Sequence, residues 1–207
     1  MRKIWLLVGL ITIFPSLLSN SVVLAYDWDE NFEKDLSDWT IDKSSGCTID
    51  IQTVTADKLS PVDGKNLLLW RPSDKTGQCH LSRPIEPPIN SGKVSLWFYD
   101  NTEDVNNIMD IGVALKSSQE EMTWIAVRSG LNRNNYYLNL NQTEIDSNVS
   151  RSMGWHLFDF YIKDGQVTLA IDTIEMDPNC QMENFSSIKI FSGWDTPGAA
   201  RFDGISI

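Results

Sequence analysis

Residues 155–171 read WHLFDFYIKDGQVTLAI, and this stretch indicates how the whole chain folds. Two runs in which apolar and polar residues alternate flank the dipeptide Asp164-Gly165. Asp-Gly between alternating runs is typical of a type I′ hairpin turn, because both central residues adopt a positive φ there. The pattern therefore predicts an antiparallel hairpin. Its apolar side chains would share one face: Phe158, Phe160, Ile162, Val167, Leu169 and Ile171.

The same two-residue rhythm recurs along the chain. Short alternating runs occupy residues 48–54, 66–70, 80–85, 93–99, 110–115, 124–128, 136–140, 187–191 and 201–207. Clusters of Gly, Pro and Asn separate them and mark turns, and no helical period is sustained. Many short strands divided by such turns predict an all-β protein, a two-sheet antiparallel β-sandwich of jelly-roll type.

The N-terminus has the order of a secretory signal. Arg2 and Lys3 precede an apolar run at residues 4–14, and small residues end the segment at Ala25. A membrane anchor is the alternative, but Pro15 and several serines break the run before the ~20 apolar residues that a spanning helix needs. We therefore expect a signal peptide at residues 1–25, one domain at residues 26–207, and a secreted, extracellular protein.

The charge balance excludes two classes of partner. The full chain has a formal net charge of −11, and removal of the signal would take away two more positive charges. Nucleic acids and anionic membranes are bound by cationic surfaces. We therefore expect no nucleic-acid partner and no anionic-membrane partner. No segment after the predicted signal is apolar enough to span a bilayer, so we also expect no membrane insertion.

Three cysteines would enter an oxidising compartment, where thiols tend to pair. Cys47 and Cys79 border two predicted strands, and neighbouring strands would bring their Cβ atoms into bonding range. A Cys47–Cys79 disulfide is the prediction. A reduced, buried trio of cysteines is the alternative.

Three sequons, which begin at Asn141, Asn148 and Asn184, match the N-glycosylation pattern. In a secreted protein made by a glycosylating host they would be glycosylated. They therefore predict exposed positions near residues 141–150 and 184.

Strand alternation selects candidate ligand-binding residues. If Val94, Leu96 and Phe98 face the core, the residues between and after them face away from it. The same alternation on the other strands predicts one outward sheet face, on which the small residues Gly112 and Ala114 leave room for a ligand. This face would carry Trp97, Tyr99, Trp124, Arg128, Tyr137 and Asn139. Aromatic faces stack on sugar rings, while Asn and Arg bond hydroxyl groups. The alternative is that these aromatics are covered by other parts of the protein.

Several motifs resemble those of a known group. They are NFEKDLSDW at residues 31–39, DGKNLLL at 63–69, Gly-Trp-His at 154–156 with Ala-Ile-Asp at 170–172, and RFDGISI at 201–207. Together they resemble the concanavalin A-like jelly rolls, which include laminin-G-like and MAM-like extracellular modules. The resemblance implies a structural calcium ion between the first and last strands, held by Glu33 and Asp203, and no other cofactor.

These observations favour a non-enzymatic recognition module that binds carbohydrate or glycoprotein. A protein–protein adhesion or effector domain, with its site in loops 100–107 or 129–135, is the alternative. A glycoside hydrolase is the third possibility, because Glu144-Ile145-Asp146 resembles the start of the Glu-x-Asp-x-Glu strand of laminarinase-like enzymes. Position 148 is Asn, so the second glutamate is missing, and no catalytic residue is predicted. His156 is expected to be a hydrogen-bonded structural histidine.

Overall fold

A computed structural model describes residues 29–43, 47–54, 60–72, 79–101, 111–118, 124–129, 134–140, 143–192 and 200–207. The predicted signal peptide and the sequon asparagine Asn141 lie outside these residues. None of the described segments forms a helix with the length and apolar character needed to cross a bilayer.

The hairpin predicted around Asp164-Gly165 is confirmed. Its two strands pair from Phe158 opposite Ile171 to Lys163 opposite Gln166, and the turn residues have φ values of 52° and 78°. All six apolar side chains assigned to one face are buried, at no more than 2% exposure.

The described residues form fifteen strands. These are β1 (Asp29–Glu30), β2 (Thr40–Lys43), β3 (Cys47–Thr53), β4 (Asn66–Pro72), β5 (Cys79–Ile89), β6 (Gly92–Asp100), β7 (Ile111–Lys116), β8 (Trp124–Arg128), β9 (Asn135–Leu140), β10 (Thr143–Ser150), β11 (Gly154–Lys163), β12 (Gln166–Ile171), β13 (Ile174–Gln181), β14 (Phe185–Ser192) and β15 (Ala200–Ser206).

The strands form two antiparallel sheets, as predicted for a jelly-roll sandwich. Sheet A has the order β13-β12-β11-β6-β15-β4-β3, with β1 paired to β15. Sheet B has the order β10-β9-β8-β7-β14-β5-β2. Consecutive strands of the chain often lie in different sheets, so the two sheets are held together by several crossings of the chain.

Alternate side chains of both sheets meet in one core. Sheet A contributes Phe98, which lies 5.6 Å from Phe158 and 5.5 Å from Phe202 between ring centroids. Sheet B contributes fully buried residues such as Val113 and Ile190. The outward side chains are the other members of each alternating pair, so the packing of the core determines which residues are available for binding.

Four strands were not predicted: the short strands β1 and β2, and the polar edge strands β10 and β13. β10 and β13 lie at the ends of sheets B and A, and most of their side chains are exposed. Their sequences are largely polar, and β13 contains Pro178, which is tolerated at a sheet edge because one row of backbone groups has no strand partner. The alternating apolar pattern used to predict strands is absent where neither face is buried.

The cysteines do not lie on neighbouring strands, as the predicted disulfide assumed. Cys47 begins β3 of sheet A and Cys79 begins β5 of sheet B, so they are not on neighbouring strands of one sheet. Their side chains lie outside the described part of the structure, and the Cys47–Cys79 disulfide stays a prediction. Cys180 is a buried free thiol, and burial raises its pKa.

The buried hairpin face leads to a stability prediction. Phe158→Ala removes a ring that is 2% exposed and packs against Phe98, so we expect the free energy of unfolding to fall by about 3–5 kcal/mol. Urea unfolding followed by fluorescence measures the change. Lys163→Ala, at an exposed position of the same hairpin, serves as the control and should unfold at nearly the parent urea concentration. Equal effects of the two substitutions would contradict the assigned faces.

Candidate functional site

The six predicted ligand-binding residues do not form one surface. Trp97 and Tyr99 lie on β6 of sheet A, whereas Trp124, Arg128, Tyr137 and Asn139 lie on β8 and β9 of sheet B. The outward faces of the two sheets point away from each other. The expectation of a single face is therefore wrong, because alternation identifies residues that leave the core but does not identify their sheet.

The aromatic group on sheet A is packed by its neighbours. Tyr99 is 8% exposed, with Trp155 edge-on at 5.4 Å and the Arg201 guanidinium 5.8 Å from its ring centroid. Trp155 Nε1 donates a hydrogen bond to the carbonyl of Ser60, which holds the following turn against this face. These contacts make Tyr99 part of the structure rather than an open binding surface. Trp97 is half-buried, and its ring lies beside Gly204.

The outward face of sheet B is defined by the strand register. One row runs across the sheet through directly paired residues: Asp146, Tyr137, Arg128, Gly112, Phe191, His80 and Asp42. The adjacent row contains Glu144, Asn139, Ala126, Ala114, Lys189, Ser82 and Thr40. The next row contains Lys116, Ser187 and Pro84.

The part of this face that centres on β8 and β9 is closed. Tyr137 and Asn139 are 3% and 5% exposed, and the Arg128 guanidinium lies 5.1 Å from the Tyr137 ring and 5.3 Å from the Phe191 ring. Gly112 allows this packing, since an added Cβ would lie 2.4 Å from the Phe191 ring. The space that Gly112 was expected to leave for a ligand is filled by these side chains. The side chain of Trp124 lies outside the described structure.

The other half of the same face is open. A groove of about 400 Å³ is lined by Thr40, Asp42, His80, Ser82, Arg83, Pro84, Lys116, Ser187 and Lys189. These residues come from β2, β5, β7 and β14, which form the part of sheet B away from Tyr137. The groove offers hydroxyl, imidazole and ammonium groups on a backbone fixed by strand pairing.

The groove lowers the pKa values of two of its basic groups. Burial lowers the pKa of the His80 imidazole, and the Lys189 and Lys116 ammonium groups lower it further, while Asp42 acts in the opposite direction. Burial and the Lys116 ammonium also lower the pKa of Lys189. The basic side chains therefore lie close enough to destabilise one another's charged forms.

None of the groove residues was predicted from the sequence. The alternation around Ile188 and Ile190 does place Lys189 outward, but an outward lysine is normally an ordinary solvated residue. The pairing of β14 with both β5 and β7 brings these polar residues together, and that long-range register has no local signal in the sequence.

Glu33 and Asp203 do not fit the expected calcium site. Asp203, with no exposed surface, accepts hydrogen bonds from the backbone amides of Val62 (2.6 Å) and Asp63 (3.0 Å). Glu33 accepts hydrogen bonds from the amides of Lys65 and Asn66, which lower its pKa. Backbone N–H groups point at these carboxylate oxygens and occupy the place that a bound calcium ion would take. Among the described residues, no three His, Cys, Asp or Glu side chains are grouped to hold a metal ion.

Glu144 and Asp146 lie on the exposed edge strand β10, away from the groove. Asp146 Oδ1 accepts hydrogen bonds from Asn135 Nδ2 (3.0 Å) and from the Asn148 amide (2.7 Å). Among the described residues that line the groove, Asp42 is the only carboxylate, whereas glycoside hydrolysis normally uses a pair.

His156 is a structural histidine, as the sequence predicted. Its Nδ1 lies 2.5 Å from Asp172 Oδ2, and its Nε2 lies 2.7 Å from the carbonyl oxygen of Ser152. A carbonyl oxygen only accepts, so Nε2 carries a hydrogen in this network. Although the Ser152 hydroxyl is 3.4 Å from Nε2, this nitrogen cannot take its proton, and the three residues do not form a catalytic triad.

The sequons differ in accessibility. Asn184 is 7% exposed, its Oδ1 accepts from the Ser118 amide, and its Nδ2 donates to the Ser118 hydroxyl. The expectation that Asn184 is exposed is wrong, because this side chain bridges two strand ends. Asn148 is exposed, as predicted, and its glycosylation stays a prediction.

No family model matches the sequence, and no curated protein matches it either. Solved structures match its fold. "Cellulose induced protein, Cip1" has a TM-score of 0.57 at 15% identity, over 86% of this chain and 95% of that one. A β-glucanase of Bacillus licheniformis has a TM-score of 0.52 at 9% identity, over 87% and 96%.

A Crh5 transglycosylase in complex with NAG is a further match, with a TM-score of 0.57 at 10% identity, over 88% of this chain and 83% of that one. These likenesses confirm the jelly-roll sandwich and are consistent with a concanavalin A-like fold. The narrower resemblance to laminin-G-like or MAM-like modules stays a prediction.

The bonding of Asp203 leads to a prediction about metal dependence. Because backbone amides occupy this carboxylate, we expect the melting temperature to be the same in millimolar calcium and in excess EDTA. Asp203→Ala should lower the free energy of unfolding by about 1–3 kcal/mol, because it leaves the partly buried amides of Val62 and Asp63 without their acceptor. Asp63→Ala, which changes an exposed side chain of the same turn, is the control. A calcium-dependent rise in melting temperature that Asp203→Ala abolishes would restore the calcium site.

Proposed function

We propose that this protein is a secreted, non-enzymatic recognition module that binds carbohydrate, free or on a glycoprotein, in the groove on the outward face of sheet B. The observation that carries the proposal is the groove itself. Its volume of about 400 Å³ lies within the range of small-ligand sites, and strand pairing fixes the positions of its lining residues.

The composition of the groove suits a sugar. Thr40, Ser82 and Ser187 offer hydroxyl groups that donate and accept hydrogen bonds, and Pro84 offers an apolar ring surface. A sugar ring presents both C–H surface and hydroxyl groups, so it can use both kinds of contact. The fold supports the same conclusion, since its structural neighbours include a β-glucanase and a transglycosylase in complex with NAG.

Recognition without catalysis is proposed because of the carboxylates. Asp42 is the one carboxylate among the described groove residues, and its side chain is 80% exposed. Glu144 and Asp146 lie at the opposite edge of sheet B, six strand spacings away, or about 29 Å along the sheet. A glycosidase pair is separated by roughly 5–10 Å, so Asp42 cannot act with Glu144 or Asp146 on one glycosidic bond.

A blocking substitution tests the location of the site. Ser82→Trp places a large ring at the centre of the groove, so we expect it to reduce glycan binding at least about tenfold. A glycan array of neutral and acidic oligosaccharides identifies ligands of the parent protein, and isothermal titration measures their affinities. Circular dichroism and thermal melting verify that the variant is folded.

The matched control is Trp97→Ala, which removes an outward aromatic from sheet A. It should bind glycans like the parent. Loss of binding in Trp97→Ala with full binding in Ser82→Trp would move the site to sheet A. If the folded parent protein binds no glycan on the array, the proposed function is wrong.

A further inference from the structure

The groove contains basic side chains from three adjacent strands: Lys116 of β7, Lys189 of β14 and His80 of β5. Lys189 is paired with Ala114, two residues before Lys116, and His80 is paired with Phe191, two residues after Lys189. Outward residues in this diagonal relation lie roughly 7–8 Å apart, within reach of one another's long side chains. The three residues lie on one diagonal line with Lys189 in the middle, so Lys116 and His80 are roughly 14–16 Å apart along the sheet. An elongated ligand that follows this line can contact all three.

These basic groups have few acidic neighbours. Within the described residues, neither Lys116 nor Lys189 forms an ion pair, and Asp42 is the acid nearest to His80, with Oδ2 3.9 Å from Nδ1. Burial lowers the pKa values of His80 and Lys189, and neighbouring ammonium groups lower them further: Lys189 and Lys116 for His80, and Lys116 for Lys189. Asp42 acts in the opposite direction on both. This basic cluster lies in a chain with a net charge of −11. The positive charge of the cluster is therefore local to the groove and opposite in sign to the net charge of the chain.

We propose that the groove binds an acidic glycan, with carboxylate or sulfate groups of the sugar held along the line formed by Lys116, Lys189 and His80. This inference rests on the proposed function, since it names the class of glycan for the same groove. Ammonium and imidazolium groups donate charge-assisted hydrogen bonds to such oxygens. The anion also removes the repulsion between the cations. The hydroxyl groups of Ser82 and Ser187 remain available for the rest of the sugar.

Charge-removing variants test the proposal. Titrations of the purified protein use three probes: an oligogalacturonate for carboxylate sugars, a heparin oligosaccharide for sulfated sugars, and cellohexaose as a neutral glycan. We expect at least one acidic probe to bind and cellohexaose to bind at least about tenfold more weakly. Lys116→Gln and Lys189→Gln should each weaken the acidic probe about tenfold. Lys163→Gln, which removes the same charge at an exposed position on sheet A, should bind like the parent.

The outcomes separate the two proposals. Binding of cellohexaose as tightly as the acidic probes would overturn the acidic-glycan inference and leave the carbohydrate function in place. Equal binding of acidic probes by the parent and by both folded groove variants would also overturn it. The absence of any glycan ligand would overturn the carbohydrate function itself.

The same inference predicts a pH dependence through His80. Burial and the two lysines lower its pKa, so the imidazole is neutral at pH 7, and a bound anion favours its protonated form. The affinity for the acidic glycan should therefore rise as the pH falls from about 7.5 to 5.5, where the sugar carboxylates stay ionised. His80→Gln should remove most of this rise. Asp42→Asn removes the negative charge that faces His80, so it should strengthen binding at both pH values.

If the affinity of the parent protein for the acidic glycan falls as the pH is lowered, the proposed role of His80 is wrong.

Discussion

Everything in this molecule depends on the burial of alternate side chains between two antiparallel sheets. The inward residues of β6, β11 and β15 pack ring against ring, and those of β7 and β14 complete the core from the other side. A strand in this arrangement cannot shift by one residue without exposing its apolar set. The register is therefore fixed, and with it the position of every outward side chain.

The outward face of sheet B shows what this fixed register makes possible. Directly paired residues form straight rows, so side chains far apart in the sequence become neighbours: Lys116, Ser187 and Pro84 share one row. One half of the face is closed by the stacking of Arg128 between Tyr137 and Phe191 above Gly112. The other half is the open groove. The same sheet thus has a packed region that supports an adjacent binding region.

The sequence predicts features that are local. The hairpin at Asp164-Gly165 and the inward sets of β6 and β7 follow from neighbouring residues alone, and the structure confirms them. Alternation also places Trp97 and Tyr137 outward, but it does not reveal that they belong to opposite sheets. The groove brings together residues from β2, β5, β7 and β14. It could not be predicted, because non-local pairing determines which strands are adjacent. Edge strands β10 and β13 were missed because they bury too little to show an apolar pattern.

The contrast between the charge of the groove and that of the whole chain bears on how a ligand would be selected. With a net charge of −11, the protein repels an acidic glycan at long range, although physiological salt screens this repulsion beyond about 8 Å. Attraction begins only when the ligand is within reach of Lys116, Lys189 and His80. Such a site gains little from electrostatic steering, so its affinity must come from contacts made inside the groove. Acidic polymers that cannot place charged groups along the line of these three side chains are then disfavoured, and the negative surface contributes to specificity.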